Sequence, residues 1–195
     1  DKSLALFKKS NGYYLFDFQK YDFINQTQNF WGSDIGNIAW SPDNSKIAYY
    51  NYADKTLIFS NIANTQQDRV LNFDDYGIEN PILRWSPDSE WLLVIPQNQD
   101  KSQNKIYLLS VSSRMLTMVA DTGNQIDAVF SPDSGRIIYK TSNSSSSSST
   151  ISIMDRNGQN KKALNLDINL DNITWIKKDI FLAASYDQIS QKYQI

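Results

Sequence analysis

Short apolar runs recur along the whole chain and are set apart by clusters of Pro, Gly, Asn, Asp and Ser. Rich in Ile, Val, Leu, Tyr and Trp, these runs carry the signature of β-strands. Three consecutive sets of four are predicted. The first comprises Asn37 to Trp40, Lys46 to Tyr50, Thr56 to Ile62 and Arg69 to Phe73. The second comprises Pro81 to Trp85, Trp91 to Ile95, Lys105 to Val111 and Met115 to Ala120. The third comprises Asp127 to Phe130, Arg136 to Lys140, Thr150 to Asp155 and Lys161 to Leu166. The second strand of a set, as in Ile47-Ala48-Tyr49-Tyr50 or Trp91-Leu92-Leu93-Val94-Ile95, is apolar at successive positions. Such a strand has both faces buried. No window sustains a helical apolar stripe, so the chain reads as all-β.

The sets are copies of one another. Trp40, Trp85 and Phe130 stand 45 residues apart each time, and one further period lands on Trp175. Each of the first three aromatics is followed by Ser-Pro-Asp: Ser41-Pro42-Asp43, Ser86-Pro87-Asp88 and Ser131-Pro132-Asp133. At Trp175 the tripeptide becomes Ile176-Lys177-Lys178. Pro presets φ for the first corner of a type I turn, and Ser and Asp hydrogen-bond nearby backbone amides. The motif therefore reads as a tight connection between first and second strands. Its triplication argues for structure over catalysis. Four-stranded units repeating at this period are the blades of a β-propeller.

The stretch Ile38 to Tyr49, apolar-x-Trp-Ser-Pro-Asp followed by apolar-Ala-Tyr, resembles the TolB-type, WD-like propeller repeat. The resemblance covers nearly the whole chain as a single propeller domain, 1–195. Its repeats fall at about 1–34 (partial), 35–79, 80–124, 125–169 and 170–195 (partial). Propellers of this family serve as periplasmic binding scaffolds, as domains attached to peptidases and as extracellular parts of anchored proteins. The resemblance implies rings of roughly six blades, so the expectation is a partial ring of about four, excised from a longer protein. A closed four-bladed ring is the alternative.

Composition narrows the chemistry. Among 195 residues there is no His and no Cys. This removes Ser-His-Asp and Cys-His catalysis, thiolate or imidazole metal sites, and disulfides. Glu79 and Glu90 are the only Glu residues, leaving few candidates for a Glu-based acid/base pair. With 19 basic against 21 acidic residues the net charge is -2, which is no footprint for nucleic acid. Apolar runs such as Trp91 to Ile95 fall far short of a bilayer span, so no membrane insertion of this segment is expected. Asp1-Lys2-Ser3 opens without a signal-peptide pattern. Absence of Cys fits a bacterial extracytoplasmic setting, periplasmic or cell-surface, where stray thiols oxidise.

Function is expected in loops, because a propeller scaffold carries many activities. The Ser-Pro-Asp turns occupy one end of each blade, and loops of variable length occupy the other. The candidate partner-binding residues on that variable end are Tyr52, Asp74, Asp75, Tyr76, Gln97, Lys101, Asp121 and Asn124. Tyr offers apolar area and a hydroxyl at low entropic cost, which suits an anchor. The expectation is a non-enzymatic scaffold for a protein or peptide partner, with no cofactor or metal and with possible self-association through open blade ends. The alternative is the propeller of a larger enzyme, either a peptidase-gating propeller or a carboxylate-based glycosidase. Ser144 to Ser149 reads as a flexible loop, and Asp167 to Asn172 as an ordinary turn that imitates the start of a Ca²⁺ loop.

Overall fold

A computed structural model describes residues 4–9, 12–23, 34–64, 66–100, 104–123, 125–142, 149–164, 172–187 and 192–194. The chain divides into two compact units, Asp1–Asn80 and Pro81–Ile195.

In the first unit, β1 (Leu4–Lys9), β2 (Gly12–Asp17) and β3 (Asp22–Phe23) form a three-stranded antiparallel sheet. A four-stranded antiparallel sheet follows in the order β4 (Ile35–Trp40), β5 (Lys46–Asn51), β6 (Thr56–Asn61) and β7 (Gln67–Asn72). The second unit holds two more such sheets. One runs β8 (Ile82–Trp85), β9 (Trp91–Ile95), β10 (Asn104–Ser110) and β11 (Leu116–Gly123). The other runs β12 (Gln125–Phe130), β13 (Arg136–Ser142), β14 (Ser149–Asp155) and β15 (Lys162–Leu164). Last come β16 (Asn172–Lys177), β17 (Ile180–Asp187) and β18 (Lys192–Gln194), a three-stranded sheet. Every sheet is a meander of sequence neighbours, the architecture of propeller blades. Each strand expected from the apolar runs is present among the described residues, residues 165–166 of the run from Lys161 lying outside them.

Why the second strands are apolar at successive positions is visible in the packing. In β13, Ile137 and Tyr139 join a core shared with Leu93, Ile95 and Ile106 of the preceding sheet. Ile138, between them, faces the other way and packs with Trp175 and Phe181 of the following sheet. Side chains alternate across a strand, so a blade with neighbours on both faces must be apolar at every position. In the first unit Leu15, Ile47, Tyr49 and Ile58 form the equivalent core, with Leu4, Leu6 and Trp40 packed against it. The repeating aromatics sit within this scheme. Trp85 and Phe130 are buried, whereas Trp40 and Trp175 are half-buried.

The three Ser-Pro-Asp turns are superimposable in their bonding. Ser41 Oγ donates to Asp43 Oδ1 at 2.6 Å and accepts the Lys46 amide at 2.9 Å. Ser131 does the same with Asp133 at 2.6 Å and Arg136 at 2.9 Å. Ser86 donates to Asp88 and accepts the Trp91 amide at 2.9 Å. The fourth residue closes the turn onto the Ser carbonyl and then turns left-handed, with φ of 59° at Asn44, 62° at Ser89 and 58° at Ser134. All three Ser are buried, so each hydroxyl satisfies backbone that water cannot reach. These residues are structural, as their repetition suggests.

Candidate functional site

At the end of the second blade opposite its Ser-Pro-Asp turn, three segments meet: the start of β4, the β5–β6 connection and the crossover after β7. Backbone bonds join them. The Tyr52 amide donates to the Asp34 carbonyl at 2.8 Å, and the Phe73 amide to the Lys55 carbonyl at 2.8 Å. The crossover is shaped by its own sequence. Phe73 and Ile78 are almost wholly buried at 0% and 1% exposure, and pin the segment at both ends. The polar stretch between them is pushed outward as a 3₁₀ turn, Asp74–Tyr76, closed by Gly77 at φ 62°. A left-handed residue there suits Gly, which has no Cβ to clash.

Tyr52 is 47% exposed and yet fixed on three sides. Its hydroxyl donates to Asn80 Oδ1 at 2.7 Å. Its ring lies edge-on to Tyr50, with centroids 5.2 Å apart. It also covers Gly36, where a Cβ would overlap the ring atoms. Asn37 braces the same acceptor, donating to Asn80 Oδ1 at 3.1 Å and to the Asn80 carbonyl at 3.2 Å. Tyr50, buried beneath, stacks on Phe73 at 5.9 Å and so links the Tyr52 loop to the crossover.

The charges are unevenly placed. Lys55 Nζ pairs with Asp74 Oδ1 at 2.8 Å, and that hydrogen bond and charge raise the Lys55 pKa above its ordinary value. Burial raises the Tyr50 hydroxyl, with Glu79, Asp74 and Tyr52 adding to the effect while Lys55 opposes it. Asp75 and Tyr76 are exposed beside them.

Of the residues expected from sequence, Tyr52, Asp74, Asp75 and Tyr76 are brought together here. Gln97 is in the second unit, half-buried, donating to the Pro96 carbonyl at 3.1 Å. Asp121, expected in a loop, lies within β11, opposite Lys105 with 3.9 Å between Nζ and Oδ2. Two register shifts in β10–β11 carry that hairpin further than the apolar run alone suggests. Lys101, Asn124, most of Ser144 to Ser149 and most of Asp167 to Asn172 lie outside the described residues. Gly36, Asn37, Tyr50, Lys55 and Asn80 were not expected from the sequence. The left-handed φ of Asn37 (36°) and Asn80 (42°) fits a residue type enriched there, which is the one sequence signal available. Among the described residues no group of three or more acidic side chains is placed to hold a metal ion.

No protein-family model and no curated protein matches the chain. Solved structures do. Oligogalacturonate lyase from Vibrio parahaemolyticus is 12% identical with a TM-score of 0.71, over 98% of this chain and 61% of that one. TolB from Acinetobacter baumannii is 15% identical with a TM-score of 0.60, over 98% of this chain and 67% of that one. The β-propeller domain of the Trilobed protease from Pyrococcus furiosus, described as an open velcro topology, is 15% identical with a TM-score of 0.59. That match covers 79% of this chain and 49% of that one. The chain thus spans from about half to two thirds of these structures' lengths. Identity this low shows the fold alone, and the fold is a TolB-like β-propeller.

Proposed function

We propose that this chain is a non-enzymatic binding scaffold which presents the variable end of its blades to a protein or peptide partner. The observation that carries this reading is the Tyr52 cluster: a half-exposed ring held by Asn80, Tyr50 and Gly36, at the same blade end as the exposed Tyr76. Recognition anchors are commonly aromatic, and a pre-ordered one loses little freedom on binding. At the opposite end the Ser and Asp side chains are committed to bonds within the turns themselves.

Absence of His and Cys supports a role without catalysis, cofactor or metal. Together with the likeness to the TolB fold, absence of Cys also supports an extracytoplasmic location. Self-association belongs to the same proposal. The first sheet turns Phe7 and Phe18 outward, 45% and 46% exposed, beside Phe16 and Phe23.

A displayed peptide library panned against the purified chain tests the reading. Binders should lose affinity to a variant carrying Tyr52→Ala and Tyr76→Ala while retaining it for Pro42→Ala and Pro87→Ala. The reverse pattern in folded protein would place recognition on the other end. A second reading, the propeller of a larger enzyme, draws support from neighbours that are a lyase and a protease domain. Turnover of a glycoside by the purified chain would favour it.

A further inference from the structure

Resting on the scaffold reading, we infer that the segment docking at the Tyr52 end is basic, a peptide that lays Arg or Lys side chains against the exposed rings of Tyr52 and Tyr76. The first ground is charge. Asp34, Asp54, Asp74, Asp75 and Glu79 belong to the segments that meet at this end, against Lys55 and Arg69. Asp54 is matched by Arg69 at 2.6 Å and Asp74 by Lys55 at 2.8 Å. These seven groups sum to -3, more negative than the -2 of the entire chain, so the remainder of the molecule is close to balanced. A cationic guest is steered here and an anionic one is repelled.

The second ground is the rings, which are independent of the charges. Tyr52 is 47% exposed and Tyr76 41%. Gly36, Tyr50 and Asn80 hold the Tyr52 ring in place, and the part of it that stays exposed is what a guest can meet. An aromatic face attracts a cation through its quadrupole, and a guanidinium stacks on it better than an ammonium does. Aromatic rings alone would suit any apolar residue, and carboxylates alone would suit any counter-ion. Combined, they select a side chain that is flat and apolar along its stem and positive at its tip. Asp75, exposed on the 3₁₀ turn next to Tyr76, is the carboxylate placed to take a bidentate contact from a guanidinium.

The test uses the purified chain and a fluorescein-labelled, end-capped Gly-Ser peptide carrying alternate Arg residues. Two controls replace Arg by citrulline, its uncharged isostere, or by Glu. Fluorescence anisotropy should show binding of the Arg peptide that weakens as salt rises. The citrulline peptide should bind at least about tenfold more weakly, and the Glu peptide not measurably. Asp75→Asn and Tyr76→Ala should each weaken the Arg peptide by about threefold to tenfold with thermal melting unchanged, since both side chains are exposed. Equal binding of all three peptides at this end would overturn the basic specificity while leaving the scaffold in place. Arg-peptide binding indifferent to Asp75→Asn, Tyr76→Ala and Tyr52→Ala would overturn the assignment of the site. Absence of Arg-peptide binding up to about millimolar concentration would overturn the inference, with library binders deciding separately whether a scaffold remains.

Discussion

Replacing Phe130 by Ala removes the aromatic at the inner core shared by the two four-stranded sheets of the second unit. Phe130 keeps 7% of its exposure and packs in a cluster with Leu93, Ile106 and Ile137. An aromatic side chain buries about 150–250 Å², which at about 25 cal/mol per Å² amounts to about 4–6 kcal/mol. Ala retains part of that burial, and the cavity it leaves adds a further cost. The net loss should be about 3–5 kcal/mol. Urea denaturation followed by circular dichroism reads this directly. With a slope of about 1–3 kcal/mol per M, the midpoint should fall by at least about 1 M. Met118→Ala serves as the control, because Met118 is 49% exposed and its loss should stay within about 0.5 kcal/mol. A Phe130→Ala midpoint that moves no further than that of Met118→Ala would refute the claim that the repeating aromatics hold adjacent blades together.

Other substitutions probe separate links. Trp40 and Trp175 bury an indole N–H with no acceptor, so Trp40→Phe and Trp175→Phe, which copy Phe130, should cost under about 1 kcal/mol by denaturation. Hydrogen bonds from the turn serines and following amides outweigh desolvation at Asp43 and Asp88, and lead at Asp133; all three carboxyls are held below their ordinary pKa. The stability they contribute is present above about pH 4 and is lost as pH falls through their lowered values. A variant with Asn at all three positions should therefore lose less stability between neutral and acid pH than the parent. Arg84 and Asp127 form a two-pronged pair across adjacent sheets at 3.1 and 2.8 Å, each about 41% exposed; a double-mutant cycle should give about 0.5–1 kcal/mol. Gly36→Ala should displace the Tyr52 ring and weaken Arg-peptide binding in the parent, yet have little effect in a Tyr52→Ala background. Light scattering should show self-association that rises with concentration and is relieved by Phe7→Ser with Phe18→Ser.

The blades were legible because the pattern that builds them is local and repeated. An aromatic, a turn tripeptide and a second apolar run recur at one spacing, and a strand read this way is correct to a residue or two, as with Trp91–Ile95. The turn chemistry was legible for the same reason, since Ser and Asp bond within their own few residues. The first sheet was harder to see. Leu4-Ala5-Leu6-Phe7 pairs with β2 as Ile47-Ala48-Tyr49-Tyr50 pairs with β6, but at a separation of 43 residues. Loop residues such as Tyr52 and Tyr76 stood out as exposed aromatics near turn formers. Their supports did not, because those come from distant segments. Asn37 reaches Asn80 across 43 residues. It does so after a register shift between Gly36 and Ala39 that no periodicity announces. Asp121 shows the opposite error, where a polar residue at the end of an apolar run is carried into the ladder by its partner strand.

Amide hydrogen exchange of the intact chain, with and without the Arg peptide at saturation, tests the binding face most directly. Protection confined to residues 34–37, 51–56 and 73–80 is the expected result. Protection centred on the turns at 41–45, 86–90 and 131–135, with residues 73–80 exchanging as fast as in the free chain, would contradict it.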